Sequence, residues 1–210
     1  MSDELQIKPG ALRIGDIAPD FEARTTHGSV KLSDYRGRWL IFFSHPADFT
    51  PVCTTEFVAL ARQQDKFDAL DCALLGLSVD SLYAHLAWVR AIEDRFGVTI
   101  SFPIVEDPSM AVGHAFGMID ENAADSAAMR TSYFIDPQGI IRATTCYPHN
   151  VGRSVDEMIR MLAALQLTDE KNILTPEGWQ PGDDVLAIPP LSAKDISRDD
   201  DWFCHVVKAP

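Results

Sequence analysis

The segment Pro46-Ala-Asp-Phe-Thr-Pro-Val-Cys-Thr-Thr-Glu56 brings a threonine, a proline and a cysteine together at a spacing that suits an activated thiolate. Thr50 is a residue type that caps helices, Pro51 suits the first helical position, and Cys53 then falls at the third, among backbone N–H groups without helical partners. Those free amides and the positive end of the helix dipole favour a thiolate, which is the nucleophilic form of cysteine. On spacing alone the segment equally suits a plainer arrangement, a helix start with a cysteine packed beneath it, because cysteine is among the most buried residues.

Three further cysteines, Cys72, Cys146 and Cys204, lie far apart, with no Cys-x-x-Cys pair and no Cys/His ligand spacing. That argues against a structural zinc site, and neither a metal nor an organic cofactor is expected. A thioredoxin-type disulfide exchanger would need a second thiol where Glu56 stands. Cys72 and Cys146 border or occupy expected strands and read as small buried residues. Cys204, in Asp201-Trp-Phe-Cys204, lies beyond the main domain, where a thiol could move.

The elements that must position Cys53 are legible around it. Trp39-Leu-Ile-Phe-Phe-Ser-His45 is an apolar run typical of a central strand, and apolar residues at Phe57, Leu60, Ala61, Phe67 and Leu70 follow near the helical period. Ala73–Val79 reads as a second buried strand, and 81–96 as a helix carrying Leu82, His85, Leu86, Val89 and Ile92. This alternation predicts an α/β sheet with parallel pairs. A short strand near Phe102–Val105, a short helix from Pro108, and a hairpin of 131–135 with 140–144 about Asp136-Pro-Gln-Gly139 follow. A last amphipathic helix carries Val155, Met158, Ile159, Leu162 and Leu165 on one face, with Asp156 and Glu157 in its first turn. From about Thr168 the chain turns Pro- and Gly-rich and reads as an extended arm, which predicts a domain over 1–167 and an arm over 168–210.

The chain has 210 residues, 46% of them hydrophobic, enough for a full core, and a formal charge of −13. Such a charge repels phosphate backbones and anionic bilayers, so neither nucleic acid nor membrane is an expected partner. The N-terminus is polar, with no secretory pattern, and no stretch reaches the ~20 apolar residues of a membrane span. The reading is of a soluble, cytoplasmic protein.

The spacing of Pro46, Thr50 and Cys53 closely resembles the active-site loop of the peroxiredoxins, the AhpC/TSA family. The flanking Phe43-Ser-His-Pro46 and Thr54-Thr-Glu56 are similar to the peroxiredoxin 6 (1-Cys) subgroup with its archaeal and bacterial members. Gly15-Asp-Ile-Ala-Pro-Asp-Phe21, Leu77-Ser-Val-Asp-Ser81, Leu86-Ala-Trp88, Tyr147-Pro148, Gly152-Arg-Ser-Val-Asp-Glu157 and the Pro-rich arm extend the likeness along essentially the whole chain. The resemblance implies a thioredoxin-like fold with a C-terminal extension used in dimerisation. It also implies a thiol-dependent peroxidase, acting in antioxidant defence, that reduces hydrogen peroxide and organic hydroperoxides through a sulfenic acid on Cys53.

Within that resemblance, Thr50 hydrogen-bonds the thiolate and the substrate oxygen, and Pro46 shields the thiolate from water. Arg130 stabilises the thiolate and binds the peroxide, so Thr50 and Arg130 form the substrate site, and Arg153 is a second arginine nearby. Taken alone, Arg130 would be a surface arginine, and Arg153 a charge that a helix N-terminus disfavours. His45 and Glu56 flank the loop and are candidates to tune it. Cys204 matches a cysteine that resolves the oxidised nucleophile across the dimer, whereas Arg198 stands where archaeal members carry another cysteine. Two cycles stay open: resolution by Cys204 of the partner subunit, and a one-cysteine cycle with an external small-molecule or protein thiol. The expected assembly is a homodimer, with stacking into a ring left open. Tyr35-Arg-Gly-Arg-Trp39 lacks the serine of the subgroup's lipase segment, so no phospholipase activity is expected. The alternative reading is a redox sensor or holdase-like protein using the same cysteine.

Overall fold

The computed structural model describes residues 12–120, 125–192, 194, 196 and 201–209. The chain forms two compact units, Met1–Val155 and Asp156–Pro210.

The first unit is organised by two strands that are buried along their whole length, Trp39–Ser44 (β3) and Cys72–Ser78 (β4). Continuous apolar runs of this kind fit strands covered on both faces. They are joined through the helices Pro51–Arg62 (α1) and Gln64–Ala69 (α2) and pair in parallel, from Trp39 opposite Cys72 to Ser44 opposite Leu77. The helix Leu82–Phe96 (α3) then leads to Ile104–Glu106 (β5), which pairs in parallel with β4. After the short helix Ala111–Ala115 (α4), the strands Arg130–Ile135 (β6) and Ile141–Tyr147 (β7) form the expected hairpin, with β6 antiparallel to β3. At the other edge lies a hairpin that periodicity did not announce, Glu22–Thr25 (β1) with Gly28–Lys31 (β2). Its strands are short and largely exposed, so they carry little apolar alternation. The seven-stranded order is β2-β1-β5-β4-β3-β6-β7.

Side chains alternate across a strand, so β3 feeds two cores. Leu40 and Phe42 join Leu75, Leu77, Tyr133, Ile135 and Phe116 on one face. Phe43 points to the other, where its ring lies 5.7 Å from Phe57 of α1 and 5.8 Å from Phe102. Trp88 of α3 closes that second cluster, 4.6 Å from Phe57. The aromatic packing sets the start of α1 against the sheet.

The second unit contains all but the first residue of the helix Val155–Glu170 (α5) and a small antiparallel sheet of Ile173–Leu174 (β8), Val185–Ala187 (β9) and Val206–Val207 (β10), in the order β10-β9-β8. Strands of two or three residues are too short to show a period, which is why this region reads as plain arm in sequence. Trp179 anchors it, buried, with its indole N–H donating to Asp183 O at 3.1 Å and its own carbonyl accepting from Arg160. Among the described residues, no helix is long and apolar enough to cross a membrane.

Candidate active site

The start of α1 has the expected frame: Thr50 occupies the N-cap position with extended backbone, and Pro51 opens the helix. The cap itself is made differently. The Thr50 hydroxyl donates to Ala47 O at 2.8 Å, while Thr50 O accepts from Thr54 N at 3.0 Å and from the Thr54 hydroxyl at 2.8 Å. The hydroxyl thus ties the loop to itself instead of serving the helix amides. Pro46 is buried beside it. Phe49 sits in the left-handed region at φ 57°, a strained conformation for a bulky residue.

Cys53 is fully buried. Its sulfur lies 3.3 Å from Nη1 of Arg130, the first residue of β6, which is itself 2% exposed. The same Nη1 donates to Glu56 Oε2 at 2.9 Å, and Arg130 Nε and Nη2 both donate to His149 O, at 3.0 and 2.7 Å. The guanidinium is therefore held along two edges, which fixes the direction in which it meets the sulfur.

Glu56 is the hub. One turn along α1 from Cys53, its Oε1 accepts from Arg153 N at 2.7 Å and Arg153 Nε at 3.0 Å, and its Oε2 accepts from Arg153 Nη2 at 2.9 Å. Arg153 Nη1 donates onward to Thr131 O and Ser132 Oγ of β6, and its guanidinium sits 5.1 Å from the Phe43 ring. Burial alone would raise the Glu56 carboxyl, but the bonds and charge of Arg153, helped by Arg130, overcome it and hold the group below the usual range. Arg153 thus reaches the site through Glu56.

The charges of this cluster do not cancel. Two guanidinium groups face one carboxylate, all with side chains at most 3% exposed. One positive charge is left over inside the protein, where an uncompensated charge is costly. The Cys53 sulfur lies beside that surplus charge, 3.3 Å from Arg130 Nη1.

The remaining candidates fall elsewhere. His45 is buried at the end of β3, with its Nε2 2.9 Å from Asp48 Oδ1. Cys72 is buried as expected, but Cys146 is exposed. β7 lies at the sheet edge, where Ile141 and Ala143 face inward and Thr144 and Cys146 outward, so the small-buried reading of Cys146 is corrected. Cys204 lies exposed in the second unit, just before β10, with its N–H donating to Asp201 O at 2.7 Å. Arg198 lies outside the described residues. Sequence reasoning missed the carbonyl of His149, since a backbone acceptor leaves no mark on residue type. It also undervalued Glu56, whose place one turn after Cys53 on a helix was the available signal.

Residues 14–144 match the AhpC/TSA family, and residues 164–198 match the C-terminal domain of 1-Cys peroxiredoxin. Peroxiredoxin 2 of Thermoplasma acidophilum is 43% identical over 93% of this chain and 100% of its own length. Among solved structures, a yeast mitochondrial 1-Cys peroxiredoxin superposes with a TM-score of 0.81 at 40% identity, covering 87% of this chain and 90% of that one. A cysteine-to-serine mutant of peroxiredoxin 6 from Arenicola marina gives a TM-score of 0.81 at 32% identity, over 88% and 87%. With a buried cysteine set against a fixed arginine on a thioredoxin-like sheet, and a 1-Cys-type C-terminal domain after it, the chain belongs to the AhpC/TSA family, the peroxiredoxins.

Proposed function

We propose that Cys53 is the nucleophile of this thiol-dependent peroxidase and that Arg130 is the group that makes it one. The observation that carries the reading is the buried surplus cation 3.3 Å from the sulfur. The thiolate attacks the hydroxyl oxygen of a hydroperoxide, so that an S–O bond forms as the O–O bond breaks. The electron pair of that bond leaves with hydroxide or alkoxide, which takes up a proton to become water or alcohol, and Cys53 becomes a sulfenic acid. Arg130 offsets the charge that shifts from sulfur to the leaving oxygen. The Thr50 hydroxyl turns freely about its C–O bond, so it can exchange Ala47 O for the sulfur or a peroxide oxygen. Pro46 keeps water from the sulfur, and Arg153 acts through Glu56.

The sulfenic acid is then consumed by a thiol, with release of water. Cys204 of a second subunit is one source, and its exposure in the second unit supports that route. An external small-molecule or protein thiol is the other, and it also returns any disulfide to the reduced state. A homodimer is the proposed assembly, supported by exposed apolar residues such as Leu191, Phe203 and Val206 in the second unit. A non-catalytic sensor or holdase is not favoured by the family.

Peroxide consumption with a recycling thiol tests the reading. Rapid turnover lost in Cys53→Ser is expected, and slow oxidation without turnover under any reductant would overturn it. Non-reducing electrophoresis after one equivalent of peroxide tests the Cys204 route: a disulfide-linked band should vanish in Cys204→Ser, and a pattern unchanged by the substitution rules that route out.

A further inference from the structure

On the far side of the same loop lies a second buried polar cluster. Asp48, two residues before Thr50, is buried and accepts from two histidines: His45 Nε2 meets Oδ1 at 2.9 Å, and His85 Nδ1 of α3 meets Oδ2 at 2.7 Å. Both rings are 0% exposed. His85 turns its other nitrogen, Nε2, to Val105 O of β5 at 3.2 Å. The Asp48 N–H donates to Asp80 Oδ2, just after β4, at 3.0 Å. A single aspartate therefore ties the loop to the ends of β3 and β4 and, through His85, to α3 and β5.

The donor arithmetic fixes the rings. A carboxylate only accepts, so His45 must carry its proton on Nε2, and Nδ1 is left as a bare, buried acceptor without a protein partner. His85 places one ring nitrogen against Asp48 Oδ2 and the other against Val105 O, so the ring spans from the loop to β5. Burial lowers the pKa of His45, which keeps that ring neutral against the pull of Asp48. Asp48 itself is pushed up by burial but pulled further down by its two histidines. The His45 ring is stacked on Trp88 at 5.2 Å and meets Phe57 edge-on at 4.8 Å, so aromatic walls set its plane and Asp48 sets its rotation within that plane.

The loop needs such anchoring. Phe49, between Asp48 and Thr50, is held at φ 57° with its ring largely exposed, so its own side chain supplies little packing to offset the strain. Asp48 therefore shares with the Thr50–Ala47 and Thr54–Thr50 bonds the task of holding Thr50 at the start of α1.

We infer that His85 is a positioning residue for the peroxidase site, acting through Asp48 on the His45 ring and on the loop that carries Thr50. The inference rests on Cys53 being the nucleophile, and the place of His85 three residues before Trp88 on α3 makes that helix part of the catalytic scaffold.

The test uses the full chain and reads the second-order rate at which hydrogen peroxide oxidises the protein, with Cys53→Ser run beside it. His85→Leu keeps the bulk and removes both bonds, and should slow oxidation by about tenfold or more, because small displacements of positioned groups are costly in rate. His85→Asn restores a donor near the Nδ1 position and should stay within about threefold of the parent. Imidazole proton NMR supplies a readout that mere space-filling would not move: the low-field His45 Nε2–H signal should persist in His85→Asn and broaden away in His85→Leu. An unchanged rate in a folded His85→Leu, or equal slowing in the Leu and Asn variants, overturns the inference. If His85→Leu does not fold, the comparison of Asn with Gln decides, since Gln reaches the Val105 side instead. A faster Asn variant upholds the role of Asp48, and equal or reversed rates overturn it. Peroxide reduction that survives Cys53→Ser would instead refute the nucleophile and is read independently of every His85 variant.

Discussion

Cys53 and Cys72 are equally inaccessible, both at 0% exposure in the same unit, but they sit in opposite surroundings. Cys72 opens β4, its S–H donates to Ala73 O at 3.4 Å, and burial among apolar neighbours pushes its thiol up to about 12. At neutral pH it is a small hydrophobe. Cys53 sits in the first turn of α1 and lies against Arg130, in a cluster where two guanidinium groups face one carboxylate. Exclusion of water punishes a charge only where no counter-charge shares the enclosure, and it magnifies the attraction where one does. The same degree of burial therefore silences one thiol and sets the other against a cation, which is what the role proposed for Cys53 rests on.

The largest effect should come from removing the favoured thiol. Cys53→Ser should reduce peroxide turnover by at least ~1,000-fold, since a hydroxyl is a far weaker nucleophile than a thiolate. Steady-state peroxide loss with a recycling thiol measures it. Substantial residual turnover would mean that another cysteine shares the chemistry and that the contrast with Cys72 is false.

Next comes the counter-charge. Arg130→Ala should lower the rate of Cys53 oxidation by roughly 100-fold, the scale of losing one placed donor at a developing charge. Arg130→Lys should recover little of it. An ammonium cannot serve the sulfur, Glu56 and His149 O together as the planar fork does. Stopped-flow traces of the reduced protein check both, and a lysine variant at parental rate would show that charge alone, without direction, suffices.

How much of this contrast could be read from the chain follows the same physics. The buried runs of β3 and β4 and the α3 periodicity were legible because apolar patterning reports burial directly. The Thr50-Pro51 helix start was legible because cap chemistry is local, although the Thr50 hydroxyl turned out to bond Ala47 O instead of the helix. Arg130 and Arg153 entered only through resemblance, since charged residue types alone point to the surface. The bond from Arg130 to His149 O and the Asp48–His85 pair were not legible, because they join positions 19 and 37 residues apart through a fold that residue type does not encode. Cys146 was misread because edge position, and not composition, decides which face of β7 is covered.

Glu56 offers a smaller and more graded way to sharpen the comparison. Its folded-state carboxyl lies below the ordinary value of 4.5, so its contribution to stability is complete above that pH and is lost as pH falls through the lowered folded value. Glu56→Gln removes the anion between two buried guanidinium groups and should cost about 3–5 kcal/mol at neutral pH. The loss should shrink on acidification below pH 4.5, where the unfolded parent takes up a proton first, and vanish once the folded carboxyl is protonated at its lowered value. Denaturant titrations across the acid range measure both. A penalty that stays constant with pH would mean that packing, and not charge, is what Glu56 contributes.

The smallest effect belongs to the silent thiol. Cys72→Ala deletes one sulfur from a packed strand end opposite Trp39 and should cost about 1 kcal/mol in stability while leaving the peroxide rate within about twofold of the parent. With its thiol pushed up to about 12 by burial, Cys72 has essentially no thiolate at pH 7, so alkylation must wait for the fold to open. In a protein carrying Cys53→Ser, the labelling rate of Cys72 should therefore rise with denaturant in step with global unfolding, as peptide mass analysis would record. Labelling that is fast and indifferent to denaturant would mean that Cys72 ionises in the native state, and that burial without a counter-charge does not by itself keep a thiol inert.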